Sequence, residues 1–360
     1  MNNFRLRQSI GIVVHSEIVE FFKSNVRESI KIKISFPNII DLLKMFDGKN
    51  SLHKIVENYS GIKIEQLEKL ALFLNENHII INQDCDYPEN ITDEKYRLIN
   101  TLEDYCLSTS DVLNCINRLN SSKVMIVGVG AVGSNIATYL AHCDVGKIIL
   151  VDHDYVDISN LHRQFFFETE INAKKNFALG NRLKNISPNI NIDIIDDVID
   201  DGFFYRNYIP SDINLIINCA DEPSVDYTSR IIAMFCMDNK IPHIVGGGYN
   251  LHQTLIGQTI IPFKSACFNC FNLFLNEKNF KELENVKKLH REKRKLGSFS
   301  PLSGMAASLA SLDAIKVLTE KFEYLQQENR RVEFSLRNLS FNIQNVPRNK
   351  QCDWCGGSHV

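Results

Sequence analysis

Ten residues, 124–133 (VMIVGVGAVG), constrain this chain more than any other segment. An apolar run ends in Gly128, Gly130 and Gly133, spaced G-x-G-x-x-G, and an amphipathic stretch follows. A strand that turns on glycines into a helix lets the backbone approach a nucleotide closely, and the helix N-terminus favours negative charge. Asp152 ends the next apolar run, KIILVD, where a carboxylate can take ribose hydroxyls. With that aspartate in place, the spacing predicts a nucleotide site over a mere tight turn.

The texture around this turn sets the fold class. From Lys123 onward apolar runs alternate with amphipathic segments, including a helix over about 174–186 and candidate strands in NIDIID, LIINCA and HIVGGG. That alternation predicts an α/β domain over 123–360, with a doubly wound, mostly parallel Rossmann-like sheet and helices on both faces. Residues 1–93 read differently. FPNIIDLLKMF, SLHKIVENY and IEQLEKLALFLNEN carry helical apolar spacing, Asp47-Gly48 breaks the first from the second, and residues 78–81 read as a short strand. This is a winged-helix pattern. The polar stretch 83–93 reads as a linker, and 94–122 as a linker and helical segment.

Net charge is -3 and the pI is about 6.4, so no positive field is available to hold a nucleic acid backbone. No apolar stretch approaches the roughly 18–20 residues of a spanning helix, and no signal peptide is read, so a cytoplasmic protein without membrane contact is expected. Six of the ten cysteines are scattered singly. The other four form two C-x-x-C pairs, Cys267/Cys270 and Cys352/Cys355, which suit a closed, structural zinc site that clips the C-terminal tail to its domain; a redox dithiol is the alternative, which two separated pairs disfavour.

Hydride transfer and phosphate chemistry both use such a glycine turn, and residues 152–164 (DHDYVDISNLHRQ) bear on the choice. Asn160, Arg163 and Gln164 fall just beyond the second strand, on the sheet edge where a ligand sits. A guanidinium there offers a rigid fork to phosphate oxygens, although a lone loop arginine is often only a solvated charge. Lys175 opens the next helix, and Asp221 follows LIINCA on the same edge. Asp221 reads either as a helix N-cap or as a Mg²⁺ ligand that bridges phosphates. The basic run 287–295 (KKLHREKRK) reads as a solvated segment or as a crossing segment that touches substrate, and the small residues of the helix over 305–321 as internal packing or a dimer seam.

Taken in order, the glycine turn, Asp152 and Asp154, SNLHRQ at 159–164, Lys175, CAD at 219–221 and the two cysteine pairs resemble the E1-like adenylating enzymes of the ThiF and MoeB type. The resemblance covers about 94–360. It implies that a substrate carboxylate attacks the α-phosphate of ATP, with Asp221 holding Mg²⁺ and Asn160, Arg163 and Lys175 steadying the triphosphate. It also implies a homodimer, in which Arg97 (in EKYRLIN) reaches into the partner's active site. Two departures stand out: Ala173 occupies a turn where the family commonly has a glycine nearby, and no cysteine lies between Cys270 and Cys352. The second departure leaves thioester or persulfide chemistry without its usual nucleophile.

The N-terminal module is similar to the leader-recognition domain of ribosomal peptide modification enzymes. With it, the chain resembles the peptide-adenylating enzymes of the microcin C type, and next those of pantocin biosynthesis. The resemblance implies a short precursor peptide as partner, activated at its C-terminus or at an acidic side chain. An activator of a ubiquitin-like sulfur carrier, an NAD-dependent oxidoreductase and a non-catalytic peptide-binding scaffold are the rival readings.

Overall fold

Strands that the helical periodicity does not announce open the computed structural model, which describes residues 3–15, 17–34, 39–59, 61–245, 249–250, 252–283 and 297–357. After β1 (Asn3–Leu6), strands β2 (Ile10–His15), β3 (Ile18–Lys23) and β4 (Glu28–Lys33) form an antiparallel meander. Alternation sends Val19 and Phe21 inward and leaves Val13 and Phe22 exposed. Then follow α1 (Ile39–Lys44), β5 (Asp47–Ser51), α2 (Leu52–Asn58), α3 (Ile64–Glu76) and β6 (Ile80–Asn82). This helix–strand–helix–helix–strand succession is that of a winged helix, and β1 completes its sheet in the order β5-β1-β6. Ser51 caps α2 by accepting from the Lys54 N–H at 3.3 Å. Leu67, Ala71 and Leu74, spaced along one face of α3, join Leu42, Leu43, Ile55 and Phe21 in the core.

The expected boundary at residue 93 lies too early. Helices α4 (Glu89–Glu103) and α5 (Thr109–Ser121) place Ile99, Leu102, Val112 and Ile116 in one cluster with Ile81, and the first compact unit is Met1–Asn117. The polar stretch read as a linker is tied down through its own side chains. Asp84 accepts from Thr109 Oγ1 at 3.0 Å and from the Ser110 N–H at 2.9 Å, and the Tyr87 hydroxyl donates to Glu103 at 2.8 Å.

The second unit is Arg118–Val360. It contains β7 (Lys123–Val127), α6 (Gly133–His142), β8 (Lys147–Val151), α7 (Lys175–Ile186), β9 (Asn191–Ile195), α8 (Phe203–Arg206), β10 (Leu215–Asn218), α9 (Val225–Asp238) and β11 (His243–Val245). After them come β12 (Tyr249–Asn250), β13 (Gln253–Ile256), β14 (Gln258–Ile260), α10 (Phe268–Leu283), α11 (Ser300–Leu318), β15 (Arg330–Ser335) and β16 (Ser340–Asn345). The main sheet has six strands in the order β14-β11-β10-β7-β8-β9, parallel except for β14. Period two divides its side chains between two cores. Val124, Ile126, Ile148, Leu150, Leu215 and Ile217 cluster with residues of α6, α7 and α11, whereas Met125, Val127, Ile149, Val151 and Ile216 cluster with residues of α8 and α9. Each such aliphatic side chain contributes about 1.5–3 kcal/mol on burial.

Sequence order reverses between β7 and β10, and a ligand crevice opens beyond the carboxyl ends of strands at such a point. The small residues Ala306, Ala307, Ala310 and Ala314 of α11 are buried inside this unit, where α11 packs on α6. The basic run 287–295 lies outside the described residues. Among the described residues no helix is long and apolar enough to cross a membrane.

Candidate active site

A cleft of about 800 Å³ lies at that reversal, lined by the glycine turn, by residues after β8 and β10, and by the start of α7. Gly128 holds φ at +79°, and a Cβ on it would meet the Ala220 nitrogen at 2.7 Å. A Cβ on Gly133 would strike the Gly128 carbonyl at 2.0 Å. The fold itself therefore requires both glycines. Gly130 differs, because its Cβ would come no nearer than 3.7 Å to Gln164, so the missing side chain there keeps the cleft open for a ligand. Asp152 pins the turn: its carboxylate accepts from the Val129 N–H at 2.7 Å and from the Asp154 N–H at 2.8 Å.

Cationic groups also line the cleft. Lys175, the first residue of α7, is buried, and its Nζ donates to Asp154 Oδ2 at 2.7 Å. Its neighbour Lys174 turns away to the His153 carbonyl and Asp196, at 2.8 and 2.9 Å. Asp157 caps the short 3-10 turn Ile158–Asn160, and Asn160 Oδ1 accepts from the Asp157 N–H at 3.1 Å, which fixes the loop. One nitrogen of Arg163 donates to the Ser159 carbonyl at 2.7 Å, and the rest of its guanidinium makes no side-chain bond among the described residues. Gln164 is buried, and its Oε1 has no partner among the described residues.

Asp221 stands exposed beyond β10, with no hydrogen bond or ion pair among the described residues. The cap of α9 is Ser224, whose hydroxyl accepts from the Tyr227 N–H at 3.2 Å, so the N-cap reading of Asp221 fails. Asn218 holds the turn before it, with Oδ1 accepting from the Ala220 N–H at 3.1 Å and Nδ2 donating to Thr228 and Ser229 at 3.0 Å. Burial, and next the Asp221 charge, push the Cys219 thiol up to about 12, so it is no thiolate at neutral pH.

The cleft thus gathers Gly128, Gly130, Asp152, Asp154, Asn160, Arg163, Gln164, Lys175 and Asp221. Arg97 is not among its lining residues; it lies on α4 in the first unit, where its Nε donates to the Tyr96 hydroxyl at 3.0 Å. The sequence reading missed a further wall, formed by Asp197, Asp200 and Tyr227. Arg206 hydrogen bonds hold the Asp200 carboxyl below the usual range; burial works against ionisation of Asp197, yet bonds from Arg206 and Asn207 keep it low as well. The signal available was DDVIDD, which follows β9 at the same sheet edge.

Comparison with known proteins places the chain in a family. The ThiF family profile matches residues 107–355, more than half of the chain. The chain belongs to the ThiF family. It is 27% identical over 244 residues to the sulfur carrier protein ThiS adenylyltransferase of Escherichia coli K12, covering 68% of this chain and 89% of that protein. Other curated relatives are longer, and the chain spans 34% and 41% of the length of two of them. Among solved structures, E. coli MccB crystallised with ATP matches with a TM-score of 0.78 at 21% identity, over 99% of this chain and 100% of that one. PaaA matches with a TM-score of 0.68 at 18% identity, over 95% and 100%. These two likenesses establish a shared fold.

This ThiF-family chain also brings its two cysteine pairs together. Cys267, Cys270, Cys352 and Cys355 are all buried, with their sulfurs within 4.8 Å of one another. Individual separations of 3.8 Å (Cys267 to Cys270), 3.5 Å (Cys267 to Cys352) and 3.4 Å (Cys270 to Cys355) approach the roughly 3.8 Å edge of a tetrahedral zinc thiolate centre. Burial pushes the Cys270 thiol up to about 11. Burial also raises Cys352, but hydrogen bonds with the Trp354 and Cys355 N–H groups, Asn269 and Cys267 together bring that thiol down to about 7. Four sulfurs so placed could hold a metal, with all four positions filled by protein.

Proposed function

We propose that this chain activates a carboxylate on a short precursor peptide by adenylation. The observation that carries the reading is the convergence of Asp221, Arg163 and Lys175 with the glycine turn on one cleft. A carboxylate oxygen of the peptide attacks the α-phosphorus of ATP, the bond to the bridging oxygen breaks, and pyrophosphate leaves with that electron pair. Attack by one anion on another needs fixed positive charge and in-line placement. Arg163 and Lys175 supply the charge, Asn160 and Gln164 position phosphate oxygens, and Asp152 receives the ribose. Asp221 would hold Mg²⁺, which neutralises phosphate charge, and an exposed carboxylate with no protein partner suits that task. Zn²⁺ would sit among the four buried cysteines in a structural role. Arg97 would act across a cytoplasmic homodimer.

The substrate class rests on the N-terminal unit. The fold likeness to MccB takes in 99% of this chain, that unit included, and MccB has been crystallised with the peptide MccA. Residues 1–117 would grip a leader peptide by strand addition or in a helix groove. The ThiS adenylyltransferase relative favours a second reading, activation of a ubiquitin-like sulfur carrier. ATP–pyrophosphate exchange decides between them: a synthetic precursor peptide should drive exchange, whereas a carrier protein ending in Gly-Gly should not. Exchange driven by the carrier alone would establish the second reading.

A further inference from the structure

Two cysteines scattered in sequence, Cys106 and Cys115, approach each other in the first unit with their sulfurs 3.7 Å apart. An oxygen of Asp111 joins them, and the three donor atoms lie within 4.8 Å of one another. We infer that Cys106, Asp111 and Cys115 form a second metal site, which takes a zinc-class divalent cation and leaves a fourth position for water.

The local structure presents these donors together. Asp111 and Cys115 stand four residues apart on α5 and so share one face of that helix. The Asp111 N–H donates to Ser108 Oγ at 3.2 Å in the first turn. Cys106 precedes the helix in a turn whose N–H donates to the Glu103 carbonyl at 3.1 Å, while its own carbonyl accepts from Arg7 at 2.6 Å. The sulfur separation falls within the 3.4–3.8 Å found in the four-cysteine cluster. Both cysteines are buried among Ile81, Ile99, Leu102 and Ile116, whereas Asp111 is partly exposed. Two thiols alone could serve as small apolar side chains. With a carboxylate oxygen within 4.8 Å of both sulfurs, the three groups form a donor set of the kind that suits a borderline cation.

The test is metal stoichiometry of the full-length protein, equilibrated with zinc sulfate, desalted and measured by plasma mass spectrometry. Two zinc ions per chain are expected in the wild type, and one in Cys115→Val, which keeps a similar volume in the core. Cys355→Ser reads the four-cysteine cluster separately, and Asp111→Asn, altered on the partly exposed side, should lose the second ion to a chelator at least tenfold faster. One ion per chain in the wild type, two retained in Cys115→Val, or unchanged retention in Asp111→Asn would overturn the assignment. So would a Cys106–Cys115 disulfide found by mass spectrometry in the purified protein. Should Cys115→Val not fold, the wild-type count and Asp111→Asn decide.

Discussion

Lys175 Nζ lies 2.7 Å from Asp154 Oδ2, with the lysine side chain almost wholly buried and the carboxylate half exposed. An unpaired ammonium is costly to bury, and Asp154 supplies the partner that offsets that cost in the empty cleft. Lys175→Met, which preserves length without charge, should reduce kcat/KM for pyrophosphate exchange by about a hundredfold or more. Its melting temperature should change little, because the abandoned carboxylate reaches water. Steady-state exchange kinetics and calorimetry together check this, and unchanged kinetics with a large loss of stability would make the pair purely structural.

The glycines separate fold from ligand. Gly128→Ala combines a positive φ with a Cβ 2.7 Å from backbone, and should lower the melting temperature by several degrees, roughly 1–3 kcal/mol. Gly130→Ala meets only ordinary contacts and should melt like the wild type, while its KM for ATP rises severalfold.

Acid sensitivity has an identifiable source in His243. It is buried at the start of β11, its Nδ1 donates to the Ile241 carbonyl at 3.1 Å, and Nε2 has no partner among the described residues. Burial lowers its pKa from 6.5 to about 4. The unfolded chain therefore binds this proton more readily, so the contribution is full above about pH 6.5 and is lost as pH falls toward 4. Urea unfolding at pH 7 and pH 5 should differ by about 2 kcal/mol from this group, and His243→Gln should remove that part of the difference.

Metal chelation addresses the C-terminal clip. Four buried thiols close only around an ion, so a strong chelator should expose the tail at residues 346–357 to proteases and lower the melting temperature. Turnover lost with no change in structure would count against a structural role for the ion.

The glycine turn, the parallel strands and the cysteine pairs were legible because each follows from local pattern: a period of two, a G-x-G-x-x-G spacing, a C-x-x-C spacing. Less legible were features whose local pattern is mixed or whose polar groups find partners only in the fold. The meander over residues 10–33 was not read as strands, since its sequence mixes Lys and Glu with short apolar alternation. The stretch 83–93 looked like a linker because its polar side chains gave no hint that Asp84 bonds Thr109 and Ser110. Asp221 was ambiguous between cap and ligand until Ser224 proved to be the cap. The Asp197 and Asp200 wall went unread because an acidic run usually marks a solvated loop.

Pyrophosphate exchange by Asp221→Ala tests the central claim most directly. With ATP, Mg²⁺ and precursor peptide, the wild type should exchange label into ATP, and the variant should fall to background while it binds the peptide as before. Undiminished exchange in Asp221→Ala, or equal loss of exchange and of peptide binding, would contradict the account.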